Sequence, residues 1–177
     1  MSKPAVSESN INLHEESPLL IIGWREWVSM PDLGIKRTKA KIDTGARSSS
    51  LHAFEIESFD KEDVQWVRFQ VHPIQRRDDI VVQCEAVVHD IRRVRSSSGE
   101  SAKRFVIRTP ITWMGQTWDV DLTLADRSLM GFRMLIGREA VRGRFLVDPG
   151  RSYFGPRPTR SKRRPPPPPN PDSKKAP

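Results

Sequence analysis

The 177-residue chain has a single cysteine, Cys84, so it can form no intrachain disulfide. The apolar, β-competent residues around it (80–88) suit a small buried hydrophobe better than a nucleophile. Long apolar runs are also missing. Leu19-Leu20-Ile21-Ile22 is far too short for a membrane span. No basic start followed by an apolar stretch opens the sequence, so no signal peptide is expected and a cytoplasmic location is the default. No metal motif of the His-Glu-x-x-His type occurs, and His14, His52, His72 and His89 are scattered. The phosphate loop Gly-x-x-x-x-Gly-Lys-Ser/Thr and the nucleophile elbow Gly-x-Ser-x-Gly are both absent. Neither a metal nor a cofactor is expected, and Ser48, Ser49 and Ser50 read as loop hydrogen-bonding groups.

Charge is unevenly spread. Of the net +8, residues 155–177 carry +6, from seven Lys/Arg against Asp172. That segment includes Pro165 to Pro169, which favours polyproline II and builds no core. Residues 1–17 are polar and net −2. The expected organisation is a disordered segment over 1–17, one domain over 18–154 and a disordered basic Pro-rich tail over 155–177. The tail could touch anionic surfaces weakly, but nothing indicates a specific nucleic-acid fold.

Between the tails, short strands dominate. An apolar stretch over 19–30 runs into the turn signal Pro31-Asp32-Leu33-Gly34. A strand over 35–42 follows, alternating poorly, and delivers Asp43 into a loop of small residues. Further strands are expected over 49–56, 65–71, 80–88, 120–124, 134–136 and 145–148, with one helical turn over 138–142. Residues 90–94 and 104–108 read as the arms of a long hairpin with a Ser/Gly tip, and Gly115-Gln116 as a two-residue connection. His52 could line the cleft but reads better as a half-exposed strand residue. The expected fold is all-β, a closed or barrel-like sheet with almost no helix.

Two stretches carry chemistry. Lys41-Ile42-Asp43-Thr44-Gly45-Ala46 places a carboxylate in a tight turn, and Met134-Leu135-Ile136-Gly137-Arg138-Glu139 follows some ninety residues later. Together they resemble the two signatures of the retropepsin-like aspartic peptidases. The segments Lys-Ile-Asp-Thr-Gly-Ala-Arg-Ser-Ser-Ser-Leu-His-Ala and Leu-Val-Asp-Pro-Gly-Arg-Ser-Tyr resemble, more narrowly, a bacterial group labelled "ATP-dependent zinc proteases". Members of that group are associated with ATP-grasp glutamate ligases of the ribosomal-modification type. The zinc label agrees poorly with the scattered histidines.

The resemblance implies a role for each matching residue. Asp43 would be the catalytic aspartate, Thr44 would bond across a dimer, and Gly45 would let its amide reach the carboxylate. Ala46 and Arg47 would adjoin substrate, as would Ser97, Ser98 and Gly99 at the tip of a flap. Ile136, Gly137 and Arg138 would support the site from beneath. Retroviral enzymes carry an acidic residue where Arg47 stands, so an acidic or unusual substrate is one implication. One Asp-Thr-Gly per chain is half of a dyad, so a homodimer acting on a peptide or protein substrate is expected. The alternatives are a non-catalytic clamp of the same fold and, following the label, a metal-dependent peptidase.

Overall fold

A computed structural model describes residues 19–95 and 101–156. The strands are β1 (Leu20–Gly23), β2 (Arg25–Met30), β3 (Ile35–Asp43), β4 (Ser49–His52), β5 (Phe54–Lys61), β6 (Val64–Val71), β7 (Val82–Arg95), β8 (Ser101–Trp113), β9 (Gln116–Ala125), β10 (Met134–Gly137) and β11 (Phe145–Asp148). One four-residue helix, α1 (Arg138–Val141), lies between the last two. Nine strands form one sheet in the order β2-β3-β10-β4-β9-β8-β7-β6-β5, and β1 pairs in parallel with β11 as a separate ribbon.

The large sheet curls until β2 meets β8, but the junction is the single pair Ser29↔Thr112. The expected closed barrel is therefore corrected to a strongly curled sheet whose ends touch without a continuous ladder. The curl wraps one core, in which Ile35, Leu51, Phe69, Ile111, Trp113, Leu122 and Ile136 are buried.

Several strand boundaries differ from the sequence reading. The expected strand 49–56 breaks at Ala53, whose amide bonds to the Ala125 carbonyl. Its first half enters the core between β9 and β10, and its second half leaves to pair with β6. The β8–β9 turn is Met114-Gly115, not Gly115-Gln116. Both residues have positive φ, 52° and 76°, as a type I′ connection requires. The strand read over 80–88 and the hairpin arm read over 90–94 merge into one 14-residue strand, β7 (Val82–Arg95).

A buried carboxylate fastens Phe154 and Gly155 to the β1–β2 corner. Glu26 on β2 is fully buried and accepts the amides of Gly23 (2.7 Å), Phe154 (2.9 Å) and Gly155 (3.3 Å). Trp24 donates to the Arg151 carbonyl and Tyr153 to that of Arg25, so residues 151–155 lie along the β1–β2 corner. Gly23 is required there, because a Cβ would stand 2.5 Å from the Arg151 oxygen. Replacing Glu26 with Leu strands three buried or half-buried N–H groups. Chemical denaturation should show a loss of about 3 kcal/mol or more, and Glu26→Gln, which keeps one acceptor oxygen, should lose less.

Candidate active site

The candidate site is built by the insertion of β10 between two strands that adjoin in sequence. β10 runs parallel to β3, with Ile136 opposite Ile42 and Gly137 opposite Asp43, and antiparallel to β4. Because β10 occupies the gap, residues 44–48 must arch over its end to connect β3 with β4. An apolar Met-Leu-Ile run suits this central position, and Met134 and Ile136 are fully buried.

The arch rests directly on Gly137. A Cβ at this position would lie 2.6 Å from the Ser48 carbonyl carbon and oxygen and 2.7 Å from the Arg47 oxygen. The Gly137 amide donates to Ser49 Oγ at 3.1 Å. Immediately beyond it, the Arg138 and Glu139 amides donate to the Ala46 and Arg47 carbonyls at 2.9 and 3.2 Å. These amides open α1 and have no partner within the helix, so the arch supplies it. Arg138 also donates from its guanidinium to the Gly45 carbonyl at 3.0 Å. Ile136, Gly137 and Arg138 thus lie beneath or beside the arch, and each touches it or the strand that enters it.

At the start of the arch, Asp43 Oδ1 accepts the amides of Gly45 and Ala46, both at 3.1 Å, and the Ala46 amide also reaches the Asp43 carbonyl at 3.2 Å. The two side-chain bonds fix the carboxylate's orientation. Asp43 itself is half-buried, and Thr44 and Gly45 are exposed. Arg47 lines a cleft of about 550 Å³ together with Ser48, Ser49, Arg92, Arg108 and Asp121. It lies 3.9 Å from Glu139. Strands β7 and β8, expected as the arms of a flap, are paired through Arg95↔Ser101, and Ser97, Ser98 and Gly99 lie outside the described residues.

One charged residue in the field of Asp43 escaped the sequence reading. Arg127, in the loop after β9, is half-buried and interacts electrostatically with Asp43. Burial and then the nearby Arg104 guanidinium on β8 hold Arg127 below the usual arginine range, while Asp43 acts in the opposite direction. Neither arginine forms an ion pair of salt-bridge length among the described residues. His52, expected half-exposed, is only 2% exposed, because β4 is enclosed between β9 and β10. Nothing in the local composition marks Arg127, since a charged residue between Asp126 and Ser128 reads as solvated loop. Cys84 is buried, near the Leu33 carbonyl at 3.4 Å, and burial pushes its thiol up to about 12, so it is no nucleophile at neutral pH. Among the described residues, no three His, Cys, Asp or Glu side chains gather as metal ligands.

Comparison with known protein families places the chain in one of them. The model of the retropepsin-like aspartic endopeptidase RimB matches residues 21–158. The chain belongs to this RimB-like family. Curated relatives include probable alpha-L-glutamate ligases of Shewanella pealeana, 49% identical over 133 residues, and Desulfotalea psychrophila, 49% identical over 129 residues. These alignments cover 75% and 73% of this chain but only 29% and 28% of the relatives. The chain thus spans less than a third of their length. A solved Legionella pneumophila structure, Lpg0085, of unknown function, superposes with a TM-score of 0.65 at 25% identity, covering 76% of this chain and 97% of its own.

The contact beneath the arch can be tested by comparing two glycines. Gly137→Ala and Gly23→Ala should each cost about 2 kcal/mol or more, since both force a Cβ into backbone. Only Gly137→Ala should speed hydrogen exchange at the Gly45 and Ala46 amides, which NMR can follow residue by residue.

Proposed function

We propose that this chain is one half of an aspartic endopeptidase, in which Asp43 from each of two copies activates a water for attack on a peptide bond. The observation that carries the reading is the fixed Asp43 carboxylate on its Gly137-supported arch, in a chain with only one Asp-Thr-Gly. Two carboxylates about 3 Å apart repel by about 5 kcal/mol at an effective dielectric of ~20. As in aspartic dyads generally, such a pair keeps one proton between them. The ionised partner takes a proton from water, and the protonated partner donates to the carbonyl oxygen and then to the leaving amine. Thr44, exposed beside Asp43, would bond across the pair.

The ribbon of β1 and β11 supports pairing of two copies. A two-stranded sheet is marginal alone, and this one exposes Leu20, Ile21 and Leu146. Its free edges offer backbone donors and acceptors to a second copy.

The favoured substrate is a peptide with acidic side chains. Arg127 places a cationic group in the field of Asp43, and neither it nor the nearby Arg104 is salt-bridged to a carboxylate among the described residues, which favours an incoming anion. The name of the relatives, glutamate ligase, is in keeping with an acidic peptide as the shared chemical theme. Ala46 would border this peptide beside the dyad. Arg47, Ser97, Ser98 and Gly99 would contact it farther out.

Mixing Asp43→Asn with the unmodified chain tests the composite site. Asn keeps the side chain's size and one acceptor oxygen, so mutant copies should still pair. After denaturation and refolding of an equal mixture, peptidase activity should be about one quarter of the all-active sample, because only dimers with two carboxylates turn over. A value near one half, with exchange confirmed by tagged copies, would show independent sites. Undiminished binding of acidic peptide with no hydrolysis in the unmodified protein would favour a clamp.

Arg127→Gln gives a second test. Its kcat/KM for peptides with acidic residues flanking the cut should fall about tenfold or more, with much smaller change for uncharged peptides. Equal loss on both substrate classes would remove Arg127 from substrate recognition.

A further inference from the structure

His52 stands one residue beyond Leu51 on a buried strand, yet it makes contacts that lead back to Asp43. Its amide donates to the Arg133 carbonyl at 2.7 Å, and its ring Nδ1 accepts the Arg127 amide at 3.0 Å. One residue therefore ties down both ends of the loop over residues 126–133. Within that loop, Asp126 Oδ1 accepts the Ser128 amide at 2.8 Å, and Arg127 Nε donates to the Phe132 carbonyl at 3.3 Å. The Arg127 backbone is fixed by the imidazole, and its side chain reaches the field of Asp43.

We propose that His52 is a positioning residue, whose neutral imidazole holds the Arg127 loop beside Asp43 and releases it on taking up a proton. The substrate-directed part of this inference rests on the peptidase reading; the clip between His52 and Arg127 does not. An Nδ1 that accepts a hydrogen bond places the neutral ring's proton on Nε2. A second proton would go to Nδ1 and set N–H against N–H at the Arg127 amide.

The surroundings act in the same direction. The ring is flanked by Phe54 and His72, with centroids at 5.8 and 5.7 Å, and buried Nε2 has no hydrogen-bond partner among the described residues. Arg133 stands close by, paired with Asp78 at 2.5 Å. Burial first, then the positive charge of Arg133, keep the His52 pKa below its ordinary value, with His72 a smaller influence in the same direction. Asp126, 3.5 Å from Nδ1, and Asp78 oppose this less strongly. The folded chain thus binds this proton less readily than the unfolded chain. The contribution to stability is complete above the unfolded value of about 6.5 and declines as pH falls below it.

The experiment uses the full chain and two substitutions. His52→Phe keeps an aromatic ring and removes the acceptor, and His52→Asn offers a carboxamide oxygen that does not titrate. Exchange of the Arg127 amide, corrected for its intrinsic rate, is followed by NMR from pH 5 to 8 alongside kcat/KM on an acidic peptide. In the unmodified protein, Arg127 protection should weaken toward acid. In His52→Phe it should be lost at every pH, with kcat/KM down about tenfold at pH 7.5, chiefly through KM. His52→Asn should recover most of that loss, and its Arg127 protection should be flat with pH. Equal Arg127 protection in the unmodified and Phe chains at pH 7.5 would overturn the proposal. So would the same acid-side loss of protection in the Asn chain, which also decides the matter if the Phe chain does not fold. An unmodified protein without peptidase activity, but with the expected exchange pattern, would remove the enzymatic reading and leave the clip standing.

Discussion

The contact on which the site depends is Gly137 pressed against the backbone of Arg47 and Ser48. With β10 inserted between β3 and β4, the connecting residues have no path except over its end. The separation there is too small for any side chain: a single Cβ would come within 2.6 Å of carbonyl atoms. Close approach also brings the first amides of α1 within reach of the Ala46 and Arg47 oxygens. The same junction therefore satisfies the arch's carbonyls, the helix's free donors and the placement of Asp43. Compact cores are bistable rather than continuously deformable, so displacing this junction should move the carboxylate as a unit with its arch.

The rest of the molecule supports that junction at increasing distance. β4 and β9 flank the arch's far end, and Trp24 at the β1–β2 corner accepts the Ile42 amide just before Asp43. That corner is itself held by Glu26 and residues 151–155, so the C-terminal segment reaches the site through two hydrogen-bonded steps. Trp24 also meets Phe132 edge to face at 5.8 Å, which joins the corner to the Arg127 loop. A buried carboxylate with three N–H partners is costly to disrupt but confers little net stability over an apolar core. Its use here is to fix one path for the chain.

Sequence patterns exposed what is local and missed what depends on distant partners. The turn at Asp43-Thr44-Gly45-Ala46 was readable because small residues mark close backbone approach, while Ile136-Gly137-Arg138 was singled out only through the family resemblance. The weak alternation over residues 35–42 has a physical cause. Opposite β3, the ladder steps from Val28↔Thr38 to Met30↔Ile35, so two β2 residues span three on β3. This bulge moves the buried set from Ile35 to Thr38, Ala40 and Ile42. The β5–β6 hairpin turns on Glu62 and Asp63, both at positive φ, without the glycine that would have marked it. His52 and Arg127 look like ordinary polar residues in sequence, since their importance comes from a contact across 75 positions. Strand order creates that contact, and local composition carries no trace of strand order.

On the proposed peptidase reading, two ionisation requirements would meet at this site and oppose one another. A dyad built from two Asp43 side chains needs one retained proton, which low pH supplies and high pH removes. The His52 clip needs an unprotonated imidazole, which low pH destroys. An isolated carboxylate pair would tolerate considerable acidity, as the repulsion between its members permits. Under that reading, coupling the pair to a loop held by neutral histidine would raise the acidic boundary toward neutrality, while burial and Arg133 would keep it below that of a free histidine. Near neutral pH, acidic side chains of the proposed substrate would be fully ionised and attract Arg127 most strongly. The same pH range would therefore favour the charged substrate, the ordered loop and a singly protonated dyad.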